Sequence, residues 1–443
     1  MDFLKQLALP QSAAQIEVLH FVMSFVQILF VPFASYLFGA IILSLFYGRK
    51  GRIHNDADSL RFAKDIVENI LPNKSIVFLF GIIPYLAIVF AYAQLLQGTD
   101  AISIGVLTWG LLFFVAGVVF AASYNSAFKL SSVLESVKPS SEEVVSFQSE
   151  ASEQRRTSGK YAVLFLFLGM LFFYAGTTLA ANPPEWEDVS TVIQLFFSLD
   201  VLLRFLHFIV LSFAVASLGT LFFIFSWEGG EKHVSDEYAA YVKKILPPIA
   251  LLAILIQPLF IVGSIVLVPA SGLSGMVFMA SVSAIVFLFL ASHYVYAMMK
   301  EFESKYAALA FYALLFVIGS SVIADTGTFS TATQKHSSLL AFEFEKYHEE
   351  LLSRMGISLK VVTGEEIFTA KCSACHEFGA KKVGPAYKDV LPKYENDRAA
   401  LVAFVSNPVK KDPAFPPMPN QGLKPVEVDS IAAYIMKMYK QSK

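Results

Sequence analysis

Eight long apolar runs leave this chain few ways to fold. Crossing a hydrocarbon core takes about 20 apolar residues in a helix, and a helix in lipid satisfies its own backbone hydrogen bonds. The runs lie at His20–Tyr47, Ile76–Leu96, Ile102–Phe128, Tyr161–Ala181, Val201–Trp227, Ile245–Val268, Leu273–Met299 and Tyr306–Ala324. Of the 443 residues, 56% are apolar and only 16% charged, too few charges to clothe a soluble globule of this size. The net charge of −2 gives no electrostatic reason to expect nucleic acid as a partner. The start of the chain lacks the charged region and small-residue cleavage site of a signal peptide, so the first run is expected to be retained.

Basic residues set the expected orientation. Arg49, Lys50, Arg52, Arg61, Lys64 and Lys74 follow the first run, whereas the stretch after the fourth, Asn182–Leu199, carries Glu185, Glu187 and Asp188 and no Lys or Arg. The positive-inside rule then places the first loop in the cytoplasm. Eight spans bring the chain back to the side on which it began, so the N-terminus and everything after Ala324 share the outer face.

The chemistry that can be named from the sequence alone lies in that last part. Cys372-Ser373-Ala374-Cys375-His376 is a Cys-x-x-Cys-His motif, the attachment signature of a c-type haem, and its two cysteines are the only ones in the chain. One turn presents both sulfurs to the haem vinyl groups and His376 to the iron. Downstream, Phe415-Pro416-Pro417-Met418-Pro419 offers Met418, in a proline-rich extended loop, as the second axial ligand. A thioether there raises the potential. A short helix over Gly364–Ala370, a turn at Val383–Ala386 and an amphipathic helix over Val426–Tyr439 complete an order that resembles a class I cytochrome c. Covalent haem attachment takes place outside the bacterial cytoplasmic membrane, in agreement with the orientation read from the charges.

The expected fold class is therefore mainly α. Residues 1–325 form a polytopic helical membrane bundle, residues 326–362 a linker and residues 363–443 an all-α cytochrome c domain. Thr326–Thr333, rich in Thr and Ser, reads as a flexible joint. Ser337–Met355 reads as an amphipathic helix lying on the membrane or against the spans. Ser131–Lys160 reads as a loop or short surface helix.

Histidines inside spans are costly and are functional candidates. At 1.5 Å per residue, His207 in the fifth span, Met279 in the seventh and Gln27 in the first all fall about 9–10 Å below the outer ends of their helices. His20 falls near the outer surface and His293 near the cytoplasmic end. Gln27-Ile28-Leu29-Phe30-Val31-Pro32, with Tyr47-Gly48-Arg49-Lys50, resembles the first span of subunit I of cytochrome bd quinol oxidases. Arg204-Phe205-Leu206-His207-Phe208-Ile209-Val210 resembles the segment of that subunit whose histidine ligates a low-spin haem b. The resemblance implies a haem b on His207, with Met279 of Val277-Phe278-Met279-Ala280 as its second ligand and Met276 in reserve. His20 is a further candidate haem ligand, and His293 a quinone-binding or structural residue. Departures from the family pattern are equally informative. Gln27 stands where the family has an oxygen-site histidine, the third run has no carboxylate, and the quinol-binding loop is reduced to Pro269–Gly272.

Together these features predict electron transfer between the quinone pool and outer-face carriers, through haem b and a tethered haem c, in a bacterial inner membrane. The expected partners are lipid, a quinone, soluble or membrane-bound c-type cytochromes and other subunits of a respiratory complex. Two alternatives stand beside it: a subunit of a bd-like terminal oxidase fed by the c domain, and a non-catalytic wiring subunit.

Overall fold

The computed structural model describes residues 11–71, 73–135, 142–227, 234–355 and 362–442, and no strand occurs among them. Among these described residues, eight helices are long and apolar enough to cross a membrane. The first, α1 (Ala13–His54), runs on through the basic residues that follow its apolar stretch. The short amphipathic α2 (Ala57–Ile70) begins at Asp56, whose side chain accepts the Ser59 amide at 3.1 Å, and buries Phe62, Ala63, Ile66, Val67 and Ile70. The remaining spans are α3 (Ser75–Leu95), α4 (Ser103–Glu135), α5 (Glu142–Ala180), α6 (Leu199–Phe225), α7 (Asp236–Leu267), α8 (Gly275–Lys300) and α9 (Ser304–Ala332).

Sequence neighbours pack together: α4 on α5, α6 on α7 and α7 on α8. The α4–α5 seam is built of rings, with Phe113 and Phe172 centred 5.2 Å apart and Phe120 stacked on Phe165 at 5.4 Å. Such offset and edge contacts add about 0.5–1.5 kcal/mol each beyond area burial. In lipid, where apolar burial between helices brings little, packing of this kind holds spans together.

Three sequence expectations change here. The part of Ser131–Lys160 from Glu142 onward is helical and continuous with its span, since its Glu, Gln, Ala and Arg residues are good helix formers; residues 136–141 lie outside the described residues. Thr326–Thr333 is not a flexible joint, because α9 continues to Ala332. Thr326 and Thr328 donate their hydroxyls to the Val322 and Ala324 carbonyls, both at 2.9 Å. A hydroxyl satisfied within its own helix lets a Thr-rich stretch stay helical in an apolar setting. Finally, the amphipathic helix, α10 (Gln334–Arg354), is not a separate linker element.

The chain divides into two compact units, Phe21–Thr331 and a second that contains Ala332–Lys443. In the second unit α10 packs against α12 (Arg398–Ser406) and α13 (Pro425–Ser442), with α11 (Gly364–Ile367) crossing α13. Lys335 of α10 pairs with Asp397 at 3.0 Å. Asp397 also accepts the Ala400 amide at 2.9 Å, capping α12, and these two interactions hold its carboxyl below the usual carboxylate range. The core of this unit joins Ile367, Cys372, Tyr387, Leu391, Leu401, Val405, Val428, Ile431 and Ile435. Gly364 makes the α11–α13 crossing possible, since a Cβ there would lie 2.3 Å from the Ser430 carbonyl oxygen.

Candidate functional site

In the second unit, α11 runs into a wide π turn over Phe368–Cys372, a geometry that recurs at functional sites. The turn then closes on itself: the amides of Cys375 and His376 both donate to the Cys372 carbonyl, at 3.1 and 2.9 Å. Both thiols and the imidazole thereby sit on one short loop. A second loop is tied over it, with the Gly384 amide donating to the Cys375 carbonyl at 2.8 Å and the Tyr387 amide to Glu377 at 3.0 Å.

His376 is held from both sides. Its Nδ1–H donates to the Pro385 carbonyl at 3.2 Å, which leaves Nε2 free for a metal, as second-shell partners commonly arrange. Its ring stacks on Tyr387 with centroids 4.9 Å apart and planes 7° apart. Burial pushes the Tyr387 hydroxyl up. Burial, with Cys375 beside it, also pushes the Cys372 thiol up.

Cys372, Cys375, His376 and Met418 line one cavity, with Pro416, Pro417 and Pro419 carrying the methionine. These donors fit a covalently bound haem: two free cysteines, an imidazole with its outer nitrogen already engaged, and a thioether in the same pocket. Gly384 forms part of the wall, and a Cβ on it would lie 2.4 Å from His376 Cε1 and 2.9 Å from Nε2. Gly384→Val is expected to displace the imidazole and cut haem c incorporation severely, as measured by haem stain per polypeptide. Met418→Ala is expected to lower the midpoint potential of the c-type haem and remove the methionine-to-iron charge-transfer band, which redox titration and near-infrared absorption will test.

The bundle holds a second candidate site. A cavity of about 80 Å³ is lined by Gln27, Tyr92, Arg204, His207, Val277, Ser281 and Asp325, among others. Arg204 of α6 donates through Nε to Asp200 at 2.7 Å and through Nη1 to Asp325 of α9 at 2.5 Å. The guanidinium is thus neutralised twice and pinned at the cavity wall.

The polar groups around it are not all satisfied. His207 stacks on Phe260 at 5.6 Å, yet its buried Nε2 has no hydrogen-bond partner. Gln257 of α7 is fully buried and reaches the His207 ring, but neither its amide nitrogen nor its oxygen makes an aligned hydrogen bond. Gln27 lies beside the Tyr92 hydroxyl, and its buried Nε2 is also unpartnered. An unsatisfied buried polar group costs about 1–3 kcal/mol, so two of them on the wall of one cavity, His207 and Gln27, with Gln257 beside the His207 ring, mark a place built for a ligand.

The cavity brings together only part of the set expected from sequence. Gln27 and His207 share it, as their equal depth implied. Met279 does not join them: it is 69% exposed on the outer surface of α8, while Val277 and Ser281 of the same helix face the cavity. At about 100° per residue, Met279 points some 200° away from Val277. Met276 is also exposed, and the end of its side chain lies over Gly327 of α9. The His207–Met279 pairing is therefore not formed. His20 is half-buried and His293 exposed, and neither lines this cavity. His207 fits an iron ligand through its free Nε2; among the described residues no second histidine, cysteine or methionine lines the cavity with it. Asp325, read from sequence as the last residue before the linker, and Gln257, passed over inside an apolar run, are the site residues that sequence reasoning missed.

Similarity to known proteins falls on the C-terminal domain. Residues 360–435 match the family described as cytochrome c oxidase, cbb3-type, subunit III. The chain is 41% identical over 81 residues to cytochrome c-551 of Pseudomonas denitrificans, covering 17% of this chain and 98% of that protein. It is 33% identical over 93 residues to cytochrome c-552 of Hydrogenobacter thermophilus, covering 20% and 94%. Cytochrome c-551 of Ectopseudomonas mendocina is 36% identical over 80 residues, with 17% and 98% covered. Through this domain, joined to eight apolar helices of membrane-spanning length, the chain belongs to the cytochrome c family.

Proposed function

We propose that this chain carries electrons between the membrane quinone pool and outer-face carriers, by way of a haem b held by His207 in the bundle and a haem c held by Cys372, Cys375, His376 and Met418. The single observation that carries the membrane half of this reading is the buried, unpartnered Nε2 of His207, a residue that lines the bundle cavity. The likeness of Arg204–Val210 and Gln27–Pro32 to subunit I of cytochrome bd quinol oxidases supports it. A haem at each site supplies a one-electron carrier whose potential the axial ligands tune. In the bundle, Arg204, pinned by Asp200 and Asp325, keeps its remaining N–H donors at the cavity wall for a propionate, and Phe260 stacks on the His207 ring. In the second unit, Pro385 fixes the His376 tautomer and Gly384 leaves room for its ring. Soluble or membrane-bound c-type cytochromes, with other subunits of a respiratory complex, are the partners this arrangement implies in a bacterial inner membrane.

The terminal-oxidase alternative gains from one observation, the absence of Met279 from the cavity, because an open coordination position is what oxygen binding needs. Against it, α3 supplies no carboxylate, nor does the membrane part of α4, and Asp200 and Asp325 are both engaged by Arg204. Anaerobic addition of a quinol analogue to the oxidised, purified chain is expected to reduce its c-type haem, without catalytic oxygen uptake when air is admitted. No reduction would favour a wiring subunit, and sustained oxygen consumption would favour the oxidase.

A further inference from the structure

At the end of the bundle where α1 finishes and α5 enters its span, a cleft of about 1060 Å³ opens between the two helices. Arg49 and Arg52 from α1 line it, with Arg155, Arg156 and Lys160 from α5. Glu153 is the one carboxylate among the lining residues. None of the five cations forms an ion pair among the described residues.

Uncompensated like charges converging on a cleft repel one another, and only an anion between them relieves that repulsion. Arg155 points to where the anion sits. Only 8% of the residue is exposed, its Nη1 donates to Ser131 Oγ at 3.1 Å, and its guanidinium lies over the Phe128 ring at 5.0 Å. Its Nε is buried and without a partner. Such a fixed, partly unsatisfied guanidinium is the geometry that phosphate oxygens accept from.

The surroundings select the kind of phosphate. Phe46 and Ile53, each 62% exposed, flank the arginines, and Leu45 lines the cleft beside them. Apolar surface continuous with a cationic cleft at the end of two membrane spans matches a molecule that carries a phosphate head and acyl chains. We infer that this cleft binds the headgroup of an anionic phospholipid, with phosphate among Arg49, Arg52, Arg155 and Arg156 and acyl chains along Leu45 and Phe46. Basic pockets between spans recognise such headgroups through the same charge and hydrogen-bond chemistry.

The test uses the full-length, haem-loaded protein purified in mild detergent, with lipid extracted and phosphorus counted per polypeptide. The triple variant Arg49→Gln/Arg52→Gln/Arg156→Gln alters exposed side chains only and leaves Arg155 in place. Lys300→Gln/Lys305→Gln, at another loop on the same end of the bundle, controls for general surface charge. Retained cardiolipin or phosphatidylglycerol is expected to fall about tenfold or more in the triple variant and to stay at the wild-type level in the control, with the haem content of both unchanged. Equal loss in both variants, or full retention in the triple variant, would overturn the site. Saturable binding of inorganic phosphate to delipidated protein, with no lipid retained by the wild type, would overturn the lipid assignment.

Discussion

Replacing Cys372 and Cys375 together by serine is expected to abolish covalently attached haem, so that a denaturing gel carrying the full-length polypeptide shows no haem stain. Serine oxygen does not add to a vinyl group to form the thioether that fixes the porphyrin, and no other cysteine exists to replace the pair. The effect reaches the fold as well. Cys372 belongs to the core formed with Ile367, Tyr387, Leu391 and Ile431, and a domain this small depends on its cofactor to complete its interior. The variant's C-terminal domain should therefore be cut by protease at concentrations that leave the wild type intact. Undiminished haem stain would contradict the assignment of the motif.

The second large effect is expected at His207. In His207→Gln, which keeps most of the side-chain volume and its hydrogen-bonding capacity, the b-type α-band should disappear while the c-type band remains. A quinol analogue should then no longer reduce the c-type haem, although dithionite still does. The physical ground is that glutamine cannot replace an imidazole as a strong iron ligand, whereas the surrounding packing, including Phe260 and the Arg204 ion pairs, stays in place. Retention of the b band would place the ligand elsewhere, and loss of both bands would mean that the variant had failed to fold.

The parts of this protein that were legible in its sequence are those whose physics is local. Cys372-Ser373-Ala374-Cys375-His376 encodes its chemistry in five consecutive residues, so no tertiary information is needed to read it. Spans are equally plain, because lipid demands a helix of fixed length wherever apolar residues run that far. The bundle cavity was only half legible. Rise along a helix gives depth, and depth correctly placed Gln27 and His207 together; azimuth was not fixed by depth, and Met279 was misplaced for that reason. Ser281, four residues after Val277, shares its face, whereas Met279 is half a turn away. Gln257 was hidden by the hydrophobicity of its neighbours, and Asp325 by its position directly after an apolar run. The Thr-rich end of α9 reads as a loop by composition, but intrahelical hydroxyl bonds make it a helix. The docking of α10 on α12 and α13 depended on partners far away in sequence, which amphipathicity alone does not name.

The central claim, that an intramembrane haem b on His207 and a covalent haem c share one polypeptide, is tested most directly by the pyridine haemochrome spectrum of the purified wild-type chain. The account predicts one b-type haem, extractable into acidified acetone, for each c-type haem left on the polypeptide. A spectrum showing the c-type haem alone would contradict it.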